Sequence, residues 1–203
     1  MAGTGQGDDQ TLAVYTRDAA AYADCAAQEL ARPWLARFAS MVTPGGRVLD
    51  FGCGPGWAAD YLNAQGFRVE CFDGSEGLAA EAKRRYGLDV KVGRFDEFAA
   101  PLAHFDGIWC SFALLHDTRE ALPAHLTRLA AALAPGGAFY LGLKEGTGAE
   151  RDSLGRLYTY FGQEEVSQLI EGTGFSKPEI ETELSKGFSG EPCTAMHFFA
   201  RRA

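Results

Sequence analysis

The chain has 203 residues, 46% apolar and 23% charged, with 27 acidic against 19 basic side chains and a formal net charge of −8. That much apolar material supports one domain with its own core, and no apolar run approaches the ~18 residues of a membrane span. Met1 to Gln10 lacks the basic start and apolar centre of a signal peptide, and scattered basic residues on an acidic chain disfavour nucleic acid as a partner.

Residues 1–8, in which Gly, Thr and Gln precede Asp8, read as a flexible tail. Residues 9–42 read as an Ala-rich helical cap. Leu12, Tyr15, Ala19, Tyr22 and Ala26 recur at spacings of three or four, one stripe of a helix. Pro33 breaks that run and suits the first turn of a second helix bearing Trp34, Leu35, Phe38 and Val42. From Thr43 onward the chain alternates. Strands are expected at Arg47–Phe51, Phe67–Phe72, Leu88–Val92, Phe105–Phe112 and Ala138–Leu143. Helices are expected at Gly56–Ala64, at Ser75–Tyr86 and running up to Leu133, with a weak helical turn near Asp96–Ala99. Residues 144–161 show no clear period. A final helix over Gln163–Glu171 precedes two strands near Glu179–Leu184 and Thr194–Arg201, which lack a helix between them and should pair as a hairpin. Alternation with short connections predicts an α/β, doubly wound, mostly parallel sheet with helices on both faces. One domain over 1–203 is expected, its core in residues 43–203.

The informative stretch is Val48-Leu49-Asp50-Phe51-Gly52-Cys53-Gly54-Pro55-Gly56. A buried strand runs into three alternate glycines, and then a helix begins. Glycine allows positive φ and lets a ligand approach the backbone closely. Trp57 stands where the dinucleotide fingerprint needs its third glycine. Asp73 ends the second strand about twenty residues on, where a carboxylate can accept from both hydroxyls of a ribose. Together these point to a nucleoside-bearing ligand. The plainer alternative is a loop that only turns and an Asp that caps the next helix.

These residues resemble motif I and the acidic ribose-binding position of class I S-adenosylmethionine-dependent methyltransferases. Phe105-Asp106-Gly107-Ile108-Trp109-Cys110 resembles that family's fourth-strand motif, and Leu133-Ala134-Pro135-Gly136-Gly137 the L-x-P-G-G before its fifth strand. The resemblance implies a seven-stranded sheet with the last strand antiparallel and S-adenosyl-L-methionine across the first strand ends. Asp50, Gly52 and Gly54 would flank the methionine moiety and Asp73 the ribose, with Cys53, Gly74, Ser75, Cys110 and Ser111 completing the cofactor site. Many members place an Asp directly after the third-strand glycine, whereas Gly93 is followed here by Arg94-Phe95-Asp96. Phe95 would then cover the adenine and Asp96 accept from its amine, or Asp96 only caps the following turn.

Methyl transfer from a sulfonium is an in-line displacement that chiefly needs alignment, and a base only if the acceptor must lose a proton early. No metal site is expected: the five cysteines are widely spaced without a Cys-x-x-Cys pair, which also makes the cytoplasm the default compartment. His116, beyond the fourth strand, suits a base, or is held by a loop carbonyl. Residues 144–161 carry Lys144, Arg151, Arg156, Tyr158 and Tyr160 and are long for a connection. They resemble the acceptor-side segment of small family members that read K-E-G followed by G-R-x-Y/F-x-Y. Arg156, Tyr158 and Tyr22, whose helix face it shares with Tyr15, are the remaining catalytic candidates. The favoured reading is methyl transfer to a small-molecule acceptor, with no membrane and no obligate protein partner. Its rivals are an NAD-dependent oxidoreductase and a methyltransferase-like protein that binds without catalysis.

Overall fold

The computed structural model describes residues 8–26, 32–186 and 190–203. Its centre is a sheet of β1 (Arg47–Phe51), β2 (Arg68–Asp73), β3 (Val90–Val92), β4 (Phe105–Ser111), β5 (Leu133–Lys144), β8 (Glu179–Lys186) and β9 (Pro192–Arg201), with β6 (Ala149–Arg151) and β7 (Leu157–Thr159) lying outside it. The strand order is β3-β2-β1-β4-β5-β9-β8. β9 runs antiparallel to both its neighbours, so six strands share one direction and one opposes them. The order reverses between β1 and β4, leaving a crevice at their carboxyl ends.

Side chains alternate across the sheet with period two. Leu49, Ile108, Cys110, Phe139 and Leu141 face one layer, where α6 (Leu122–Ala132) contributes Leu122, Leu126 and Leu129, and α7 (Gln163–Gly172) contributes Val166 and Ile170. Val48, Trp109, Ala138 and Tyr140 face the other, with Leu35 and Phe38 of α3 (Arg32–Met41) and Leu62 of α4 (Trp57–Ala64). Ser75 caps α5 (Glu76–Tyr86) by accepting from the Leu78 amide, and left-handed Gly87 stops it.

Three expectations are corrected. The stripe from Leu12 to Tyr22 is not one helix: the chain breaks at Asp18 into α1 (Asp9–Arg17) and α2 (Ala19–Ala26), both lying against α5. Tyr15 and Tyr22 still meet edge to face, ring centres 5.0 Å apart. Residues 1–7 of the expected tail lie outside the described residues, but Asp8 is structured. It accepts from the Thr11 amide as the α1 N-cap and pairs with Arg151 at 2.7 Å. Finally, residues 144–161 contain a hairpin of β6 (Ala149–Arg151) and β7 (Leu157–Thr159). Its turn is built by Asp152, whose Oδ1 accepts from the amides of Leu154 and Arg156.

Candidate active site

The carboxyl ends of β1, β4 and β5 open into a cavity of about 440 Å³. Asp50, one residue before the end of β1, is 2% exposed, and its Oδ2 is a buried oxygen without a hydrogen-bond partner among the described residues. Burial, with the nearby Asp73 carboxylate adding to it, pushes the Asp50 carboxyl up to about 8. Gly52 and Gly54 follow with φ of +74° and +55°. A Cβ on Gly52 would come within 2.2 Å of the Ala113 Cβ, so the turn needs glycine for space as well as conformation. Cys53 and Gly54 line the same wall, as does Ser111 at the end of β4.

Asp73 ties this turn to the end of β2. Its Oδ2 accepts from the Gly54 amide and its Oδ1 from the Ser75 amide, both at 2.8 Å. Burial raises its pKa while those backbone donors oppose the rise. The Gly74 amide is a third donor to this carboxylate, which with about four acceptor sites keeps room for a further hydrogen bond. Gly74 and Phe95 border a second, smaller cleft of about 30 Å³ with Leu12, Arg94 and His116. Ser75 is buried as a helix cap, its hydroxyl also 3.0 Å from Thr16 Oγ1, and Asp96 is exposed on a short 3₁₀ turn. Cys110 does not face the cavity: it is fully buried in the core layer, because alternation along β4 turns it away where its neighbour Ser111 turns in.

The opposite wall joins α1, the β6–β7 hairpin and the segment after β4. His116 Nδ1 donates to the Leu157 carbonyl at 2.6 Å. Its Nε2 is therefore the acceptor in the neutral ring and takes the Tyr15 hydroxyl at 2.8 Å. The same hydroxyl accepts from Arg156 Nη1 at 2.9 Å, and Arg156 is locked on Asp152 at 2.6 Å, both side chains buried. Burial lowers the His116 pKa to about 4. With both nitrogens engaged, the ring positions Tyr15 and offers no free nitrogen to a substrate. Tyr22 and Tyr158 line the cavity beside this chain.

A profile described as a methyltransferase domain matches residues 48–137, from β1 to the start of β5. Over 93 residues, 45% of this chain, the sequence is 38% identical to the malonyl-[acyl-carrier protein] O-methyltransferase of Enterobacter lignolyticus, and covers 36% of that protein. The chain thus spans little more than a third of that relative. In structure it resembles the 1,6-didemethyltoxoflavin-N1-methyltransferase of Burkholderia thailandensis, determined with 1,6-didemethyltoxoflavin and S-adenosylhomocysteine bound. The TM-score is 0.73 at 24% identity, covering 100% of this chain and 93% of that one. A SAM-dependent methyltransferase from Archaeoglobus fulgidus gives 0.70 at 17% identity, covering 86% and 94%. Residues 48–137 thus match a methyltransferase domain, and the whole chain shares the fold of these two structures.

Within this fold the crevice at the reversal of strand order coincides with the glycine turn, as the ligand rule for open α/β sheets requires. An orphaned buried carboxyl oxygen and cavity-lining backbone at Gly52 and Gly54 can receive a ligand that carries a cation, and Phe95 edges the neighbouring cleft. Sequence reading missed His197. It lies on β9 opposite Gly142, lines the cavity, and its Nδ1 is 2.7 Å from the Tyr140 hydroxyl. A single histidine inside the apolar run Ala195-Met196-His197-Phe198-Phe199 was the available signal.

Proposed function

We propose that this chain transfers a methyl group from S-adenosylmethionine to a small-molecule acceptor. The observation that carries this reading is the unpartnered Asp50 Oδ2 beside the Gly52–Gly54 backbone at the switch point of the sheet. A buried carboxyl oxygen without a partner is costly and suits a site completed by a cationic ligand. Asp50 would receive the ammonium of the cofactor's methionine moiety. Asp73 would accept from the ribose hydroxyls through its remaining lone pairs, and Phe95 would cover the adenine, with Asp96 at its edge. When bound, the cofactor supplies a methyl group activated by a sulfonium.

On the acceptor side, the chain's own residues orient and enclose. Tyr22, Tyr158 and Arg156 border the space beyond the cofactor residues, and His116 holds Tyr15 in place. Closing α1 and the β6–β7 hairpin over the cavity would exclude water and strengthen polar contacts to the acceptor. In this reading α1, α2 and residues 144–161 act as a cap over the cavity, whereas α3 belongs to the core layer of the sheet. Among the described residues, no helix is long and apolar enough to cross a membrane and no group of three metal-ligating side chains occurs.

The test is transfer of a radiolabelled methyl group from S-adenosylmethionine into cell extracts fractionated by size. Label in the small-metabolite fraction is expected. Label confined to protein or nucleic acid would overturn the acceptor class. No label, with no binding of S-adenosylhomocysteine by calorimetry, would overturn the activity.

A further inference from the structure

Lys144 ends β5 and points its ammonium into the acceptor side of the cavity. The residue is 9% exposed. Its Nζ lies 3.9 Å from the centre of the Tyr158 ring. Among the described residues, no carboxylate lies within ion-pair distance of it, although Cys193, Asp152 and the exposed Glu191 act on it through space. The other cation of this wall is balanced: Arg156 is paired with Asp152 at 2.6 Å. Lys186, the third basic residue of the lining, is exposed, so of the two buried cations one is matched by a carboxylate and the other is not.

A lysine with only a structural role either sends its head group into water or finds an acid. Lys144 does neither. A ring face attracts a cation without replacing its lost hydration, and burial accordingly draws the Lys144 pKa down. The missing partner is an anion that arrives with a ligand.

We infer that the methyl acceptor carries an acidic group, a carboxylate or a similar oxyanion, which pairs with Lys144 while the tyrosine rings of the cavity enclose its body. The inference rests on the methyl-transfer reading above and deepens it by naming the acceptor's class. The cofactor's own carboxylate is the competing source of an anion. Position favours the acceptor. Lys144 sits on β5, two strands from β1 and about 10 Å across the sheet from the Asp50 site, and pairs in register with Ala195 of β9. The acid acts as a handle.

The experiment uses the full chain saturated with S-adenosylhomocysteine, with binding read by calorimetry. The probes are benzoate and hexanoate, each against its neutral amide, benzamide or hexanamide. At least one acid is expected to bind about tenfold or more tightly than its amide, a difference of ~1.4 kcal/mol. Lys144→Met should abolish that preference and leave S-adenosylhomocysteine affinity within about twofold, and Lys144→Arg should retain it. Equal binding of acid and amide, or no binding of either acid, overturns the inference and leaves the cofactor reading standing. Loss of S-adenosylhomocysteine binding in a folded Lys144→Met protein overturns it too, by assigning the lysine to the cofactor's carboxylate. Failure of S-adenosylhomocysteine to bind the unmodified chain instead sinks the methyl-transfer reading on which the inference stands.

Discussion

Asp50 and His116 are both buried ionisable groups, and burial moves their pKa values in opposite directions, each toward its neutral form. The Asp50 carboxyl, pushed up to about 8, is largely protonated at neutral pH. A cofactor ammonium placed against it would favour the ionised form and expel a proton. Calorimetry of S-adenosylhomocysteine binding near pH 7, in two buffers of different ionisation enthalpy, should show release of a large fraction of one proton. Affinity should rise as pH increases toward 8. Asp50→Asn should remove the release and weaken binding by about 1.5–3 kcal/mol, the range for a charged hydrogen bond. Unchanged release in that variant would take Asp50 out of the cofactor site. His116 gives the other pH signature. Its folded pKa of about 4 lies below its unfolded value of 6.5. The neutral ring's contribution to stability is therefore complete above pH 6.5 and is lost as pH falls from 6.5 to 4, by at most about 3 kcal/mol. Urea midpoints measured between pH 7 and pH 4 should decline, and His116→Gln should flatten the decline.

Between elements, the decisive contacts join segments far apart in sequence. Asp8 to Arg151, Thr11 Oγ1 to the Leu157 amide, and Tyr15 to both Arg156 and His116 bind α1 to the β6–β7 hairpin. Tyr15→Phe would leave His116 Nε2 without its donor and Arg156 Nη1 without this acceptor. The expected cost is about 1–3 kcal/mol, with faster amide exchange in both α1 and the hairpin. If exchange quickens only in α1, the two segments do not move as one unit. These contacts also mark where sequence reading stopped. Arg47–Phe51 and Phe105–Ser111 announce themselves as apolar runs bounded by turns, and Ser75 and Gly87 punctuate a helix with the chemistry of its caps. The three-residue strands β6 and β7 are too short to show a period, and the Asp152 turn depends on side-chain bonds to its own backbone. The break at Asp18 falls inside a run whose three-and-four spacing continues through it. The pairing of His116 with Tyr15, 101 residues away, leaves no local trace. The Asp50 and Asp73 positions were legible because both fall at strand ends beside a glycine turn, whereas the unpaired state of Lys144 needed the fold.

At the scale of the whole molecule, the cavity lies where elements from both ends of the chain converge: α1 and α2 from one side, β8 and β9 from the other, over the ends of β1, β4 and β5. A ligand bound there contacts residues from Tyr15 to His197, and only the folded chain assembles them. Binding must then raise global stability by mass action, by about 2.7 kcal/mol at a ligand concentration one hundred times the Kd. For a chain of this length, each kcal/mol moves the melting temperature by roughly 2–4 °C. S-adenosylhomocysteine should therefore raise the Tm by about 5–10 °C at that saturation. NAD should produce no shift, because Trp57 opens α4 where a dinucleotide site requires the close helix approach of a glycine. Asp50→Asn should reduce the shift at fixed ligand concentration in line with its weakened affinity, and benzoate or hexanoate should add an increment to the S-adenosylhomocysteine shift that vanishes in Lys144→Met. A Tm that rises with NAD and stays fixed with S-adenosylhomocysteine would reverse the assignment of the glycine turn and hand the crevice to a nicotinamide cofactor.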